Sequence, residues 1–111
     1  MDIDVTESGT VTVVQPRADV DMAVADILKR RLVELVDRGT RQLVLDLADV
    51  HYVDSSGLGA MVAGLKHARS AGGDIRLCAL QADVRAVFEM TRLTKIVRIH
   101  VTRQDAVASW G

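Results

Sequence analysis

The run Leu43-Val44-Leu45-Asp46-Leu47 is broken by a single polar residue and does not alternate, which predicts a strand covered on both faces. Directly beyond it, Leu58, Met61, Val62 and Leu65 fall at i, i+3, i+4 and i+7, predicting a helix from 55 to about 71 that Gly72-Gly73 stops. A buried strand feeding an amphipathic helix restricts the chain to a layered α/β architecture. The flanking segments agree. Residues 3–6 and 10–15 predict a hairpin turned by Glu7-Ser8-Gly9, and Pro16-Arg17-Ala18 ends its second strand. Asp21 is expected to cap a helix whose apolar face is Ile27, Leu28, Leu32, Leu35 and Val36, with Gly39 closing it. The buried strand spans 42–48, and a further strand runs from Ile75 to Ala79. After it come a helix carrying Val84, Val87 and Phe88 and a last strand with Ile96, Val97, Ile99 and Val101. Thr102-Arg103-Gln104-Asp105 has capping-box spacing and should begin a short terminal helix. The expectation is an α/β fold with a mixed β-sheet backed by about four helices. At 111 residues the chain suits one core, hence one domain over 1–111.

The junction between the buried strand and its helix, Asp54-Ser55-Ser56-Gly57-Leu58-Gly59, sets two hydroxyls and a carboxylate beside unpaired amides and the positive end of a helix dipole. An anion placed on Ser55 or Ser56 would be held there, and the chemistry this invites is phosphorylation. The plainer alternative is that Asp54 or Ser55 only caps the helix. Gly57, Gly59 and Gly64 sit inside the helical pattern, each at a cost of about 1 kcal/mol against alanine. Close approach of another molecule and tight packing on the sheet would both account for them. Asp19, Asp21 and Asp54 precede the two helices, and Asp21 and Asp54 flank Ser55 if both helices start at one edge.

Other chemistries find little support. With a net charge of −1 and only Lys29-Arg30-Arg31 as a basic cluster, no nucleic-acid surface is expected. Tyr52, Phe88 and Trp110 are too few to stack bases. No apolar run approaches the ~20 residues of a membrane span, and no signal peptide is recognisable. Gly57-Leu58-Gly59 lacks the third glycine of a dinucleotide loop, where Val62 stands, and no Walker lysine motif occurs. Ser55, His51 and Asp46 supply the residue types of a hydrolytic triad without its elbow motif. His51, His67 and His100 are too scattered for a metal site, so neither metal nor cofactor is expected. Cys78, the single cysteine, is read as a small core residue in a cytoplasmic protein. A balanced surface around a small core predicts a monomer.

The run from Leu43 to Gly59, centred on Tyr52-Val53-Asp54-Ser55-Ser56-Gly57-Leu58-Gly59, resembles the STAS-domain anti-sigma factor antagonists of bacteria. Gly72-Gly73-Asp74-Ile75-Arg76-Leu77, Val84 to Thr91 and Lys95-Ile96-Val97 resemble the family's following turn, strand, helix and final strand. The resemblance implies a partner-switching protein that is not an enzyme. Its phosphoacceptor would be Ser55, the serine directly after the motif's aspartate. A serine kinase of the histidine-kinase-like ATPase type, itself the anti-sigma factor, would phosphorylate it, and a PP2C-type phosphatase would reverse this. The unphosphorylated form would bind the kinase and free the sigma factor. The resemblance puts the partner surface on Asp21, Asp54, Ser55, Ser56, Gly57 and Leu58. An adaptor or scaffold role in secretion, motility or transport is the alternative. The chain departs from the family at Ala18, after Pro16-Arg17, and at Arg92, both places where glycine is frequent.

Overall fold

The computed structural model describes residues 1–110. Two strands, β1 (Ile3–Ser8) and β2 (Val11–Pro16), form an antiparallel hairpin with Ser8 opposite Val11. The turn lies one residue later than expected, at Gly9-Thr10, because Gly9 takes up the positive φ of +62° that closes it. Then follow α1 (Ala25–Asp37), β3 (Gln42–Asp46), α2 (Ser55–Ser70), β4 (Asp74–Cys78) and α3 (Ala82–Met90). A 3-10 turn (Leu93–Lys95), β5 (Ile99–His100) and α4 (Arg103–Ala108) complete the chain. The sheet order is β1-β2-β3-β4-β5, with β2 through β5 parallel to one another. The mixed sheet and four helices match the sequence expectation.

Parallel strands must be covered on both sides. On one face Val14, Leu43, Leu45, Ile75 and Leu77 pack against α1, α2 and α3 through Leu28, Leu32, Met61, Leu65, Val84 and Phe88. On the other, Val11, Val13, Val44 and Cys78 meet Ala106 of α4. Thr102 caps α4 as expected, its Oγ1 accepting from Asp105 N at 3.0 Å. Arg76 holds that helix from the sheet, donating to Ser109 Oγ at 2.7 Å with its guanidinium carbon 3.9 Å from the Trp110 ring centroid. Burial, and then the nearby Arg98 charge, push the Arg76 pKa down.

Three expectations need correction. Asp21 does not cap α1: its carboxylate accepts from Ala23 N at 3.0 Å and its carbonyl from Val24 N and Ala25 N. This local turn competes with a cap, so the helix proper starts at Ala25 behind Val24. Ile27, assigned to the buried face, is 46 % exposed, because at about 100° per residue it lies to one side of the face made by Leu28, Leu32 and Val36. The last strand is only Ile99–His100. Arg92 turns into the left-handed region at φ 61° and the 3-10 turn follows, so Val97 is buried alone and Ile96 and Val101 face solvent.

Candidate functional site

The site grows from two loops at the carboxyl ends of neighbouring parallel strands, 17–24 after β2 and 47–54 after β3. They are stitched together by backbone. Val20 N donates to Tyr52 O at 3.0 Å, Asp54 N donates to Val20 O at 3.3 Å, and Val20 and Val53 form a parallel bridge. Both valines are buried. Asp19 adds a second clasp, its Oδ1 accepting from His51 N at 2.7 Å and Tyr52 N at 3.1 Å.

Asp54 has two tasks. Its Oδ1 caps α2 by accepting from Gly57 N at 2.8 Å, and its Oδ2 accepts from Met22 N at 2.9 Å in the opposite loop. It therefore fixes the start of α2 and the approach to α1 at once. Gly57 lets the helix press on the first loop: a Cβ there would lie 3.0 Å from Val20 C and Cγ1 and closer still to Val20 O. Gly64 is packed likewise under Leu32, whose Cδ1 would be 2.7 Å from an added Cβ. Gly59 differs, because nothing lies within 4 Å of the place a Cβ would occupy.

Ser55 is the first residue of α2 and is exposed; Ser56 and Leu58 are half-buried and Gly57 is buried. Gly57 N and Leu58 N are taken by Asp54, whereas Ser55 N and Ser56 N have no acceptor among the described residues. A phosphoryl group on Ser55 would meet free amides and the dipole's positive end on one side and the Asp54 carboxylate on the other. Asp21 lies in the adjoining loop with its carboxylate engaged by Ala23 N. Beside these residues runs a groove between α1 and α2 of about 300 Å³, lined among others by Met22, Lys29, Ser56, Gly59 and Ala63. Met22, in the groove with Ser56, is 77 % exposed, and Tyr52, in the loop before α2, is 57 % exposed. Neither Met22, Tyr52 nor Asp19 was singled out as partner surface from sequence. Their roles depend on pairings across some thirty residues, for which a single sequence carries no signal.

A chain of polar contacts buttresses the second loop. Asp46 holds Ala48 N at 3.0 Å and the Arg103 Nε at 2.8 Å, and Arg103 Nη2 donates to Gln15 Oε1 at 2.6 Å. Gln15 Nε2 donates to Asp49 Oδ2 at 3.2 Å, and Arg17 joins Asp49 to Asp4 at 2.6 and 2.7 Å. The hydrogen bond to Asp4, then the charge of Asp49, raise the Arg17 pKa. Of the residue types a hydrolytic triad needs, Asp46 is engaged by Arg103, and no hydrogen bond joins the His51 ring to Ser55 among the described residues. No helix of the described residues is long and apolar enough to cross a membrane, and no cluster of His, Cys, Asp or Glu is placed to hold a metal ion among them.

A five-stranded sheet with a serine at the helix start after its central strand defines a class. Residues 2–106 match the STAS domain, and the chain belongs to that family. It is 30 % identical over 107 residues to the anti-sigma-B factor antagonist of Bacillus subtilis, covering 96 % of this chain and 97 % of that one. It is 35 % identical over 91 residues to BtrV of Bordetella bronchiseptica, named as an anti-sigma factor antagonist, covering 82 % and 78 % of the two chains. A crystal structure from Thermotoga maritima with the same designation superposes with a TM-score of 0.92 at 27 % identity, covering 96 % of this chain and 92 % of that one.

Proposed function

We propose that this protein is an anti-sigma factor antagonist that works by partner switching in the cytoplasm, with Ser55 as its phosphoacceptor. One observation carries the assignment of the serine. Ser55 is the exposed first residue of α2, with two unclaimed amides beside it and an apolar-rimmed groove alongside. The names of its relatives support the general role. The partner is an anti-sigma factor that is also a serine kinase of the histidine-kinase-like ATPase type, and a PP2C-type phosphatase resets the switch. The protein itself binds and releases; it does not catalyse.

The unmodified hydroxyl is small and neutral, so a partner packs over Ser55, Ser56, Gly57 and Leu58 and along the groove past Met22. Phosphorylation adds ~−1.5 to −2 charge at pH 7. Within the fold that charge gains from the dipole, typically 0.3–1 kcal/mol at an exposed site, and loses against Asp54. The two effects oppose one another, so a small change in fold stability is the expected outcome. Across an interface the charge must be desolvated beside Asp54 and Asp21, and affinity falls steeply.

The test is capture from a lysate of the source organism by wild type, Ser55→Ala and Ser55→Asp, with mass spectrometry of the partners and phosphopeptide mapping of the bait. Wild type and Ser55→Ala should both retain a kinase-like ATPase that Ser55→Asp loses, and phosphate should map to Ser55. Equal capture of one partner by all three would overturn the switch and leave a constitutive STAS adaptor.

A further inference from the structure

A second charged surface lies at the other end of α2. Arg69 is fourteen residues beyond Ser55 on that helix, about 21 Å along its axis at 1.5 Å per residue. Arg69 of α2, Arg85 of α3, Lys95 of the 3-10 turn, and Arg98 and His100 at β5 line one open groove of about 550 Å³, with Ile96 in its wall. Four permanent cations thus face a single groove in a chain whose net charge is −1. Among the described residues one carboxylate pairs with them: Asp74 accepts from Arg69 Nε at 3.0 Å. Arg85, Lys95 and Arg98 have no ion-pair partner among the described residues. Three cations without counter-ions beside a fourth that has one give the groove a local positive field that would attract acidic groups.

The groove also carries apolar surface and an unmet polar atom. Ile96 is 46 % exposed between the cations. His100 Nε2, in the groove wall, is buried without a hydrogen-bond partner among the described residues. The strand beneath is the sheet's edge, since β5 pairs only with β4. A small ligand would want an enclosed, mostly apolar pocket, whereas this groove is open and walled by long exposed side chains. An extended acidic chain suits it better: guanidinium forks pair with carboxylates and Ile96 takes an apolar side chain.

We propose that the groove bounded by Arg69, Arg85, Lys95, Arg98 and Ile96 is a second docking surface, which receives an acidic, apolar-punctuated segment of a protein partner. It is remote from Ser55 and insensitive to that residue's state. A partner released at the Ser55 end can therefore stay tethered at this one.

The test uses the full chain, labelled with nitrogen-15, titrated with a blocked peptide alternating glutamate and leucine and followed by amide shifts. Shifts should concentrate on Arg69 and on the stretch from Lys95 to His100. Affinity should fall about tenfold or more in Lys95→Glu/Arg98→Glu and with added salt, and stay the same in Ser55→Asp. The two side chains are exposed and unpaired, so the variant should fold; Lys95→Gln/Arg98→Gln serves if it does not. Absent shifts, shifts at the α2 start, or equal binding by the double variant would overturn the proposal. So would tighter binding of inorganic pyrophosphate at the same amides, which would make this a small-anion site. None of these outcomes bears on Ser55, whose own test stands apart.

Discussion

Two single-methyl additions on one helix, two residues apart, should have opposite signs. Alanine for glycine inside a helix gains about 1 kcal/mol from backbone propensity. At Gly59 nothing lies within 4 Å of the new methyl, so Gly59→Ala should keep that gain. At Gly57 the methyl lands 3.0 Å from Val20 C and Cγ1 and nearer to Val20 O, all on a fully buried residue. Backbone, not a flexible side-chain tip, has to give. Moving it strains the Val20–Tyr52, Asp54–Val20 and Met22–Asp54 hydrogen bonds together. Overpacking costs about 1–3 kcal/mol and each hydrogen bond is worth about 0.5–1.5 kcal/mol. Less the propensity gain, Gly57→Ala should be destabilised by about 1.5 kcal/mol if the three bonds are weakened least, and by up to about 6.5 kcal/mol if all are lost. Urea unfolding followed by circular dichroism reads both, with unchanged m-values and midpoints moving in opposite directions. A neutral Gly57→Ala would mean the loops are not wedged as described, and a destabilised Gly59→Ala would mean its surroundings are not open. Because Gly59 borders the groove beside Ser56, its stable alanine variant also separates folding from binding. It should fold better and hold its partner less well.

Arg92 sits at φ 61°, where an L side chain is strained and glycine is not, so Arg92→Gly should stabilise by about 0.5–1 kcal/mol despite its freer unfolded chain. A lower urea midpoint would refute that account of the α3 end. Burial, and then the Asp46 charge, push the Cys78 thiol up to about 12, above its ordinary 9.0. The unfolded chain then loses its proton first, so stability is intact below about pH 9 and falls toward pH 12. Between about pH 8 and pH 10 wild type should lose up to about 1.4 kcal/mol more than Cys78→Ala, read from urea midpoints. Parallel curves for the two proteins would refute it.

The sequence marked the central strand and α2 because their signals are local: an uninterrupted apolar run, a 3.6-residue period, and Gly72, which takes φ +88° where the helix ends. The junction at Asp54-Ser55 was legible for the same reason. Asp21 misled because an aspartate turning back on Ala23 N looks, in one dimension, like one capping a helix. The final strand misled because the spacing of Ile96, Val97, Ile99 and Val101 imitates a strand that the turn at Arg92 does not allow. Asp19 and Val20 at the site, and the basic groove from Arg69 to His100, are products of tertiary pairing. Nothing in the spacing of those residues foretells it.

The site's rigidity explains why a modification there would act outward. A phosphorylated loop that is free to move can relieve its new charge by rearranging, and the message is then a change of shape. Here Ser55 follows Asp54, whose backbone amide and both carboxylate oxygens are committed, and the loop before it is held by Asp19 and by backbone bonds to Val20. The chain from Asp46 through Arg103, Gln15 and Asp49 to Arg17 braces the same loop against β1, β2 and α4. Relief from Asp54 by local movement would break several of these contacts at about 0.5–1.5 kcal/mol each and forfeit the roughly 0.3–1 kcal/mol that the charge gains from the dipole. On the proposed reading the backbone would stay where it is, and a charge added at Ser55 would be felt by whatever docks on the surface. If Ser55 is the phosphoacceptor proposed above, a fold built this way would need no second conformation in order to switch.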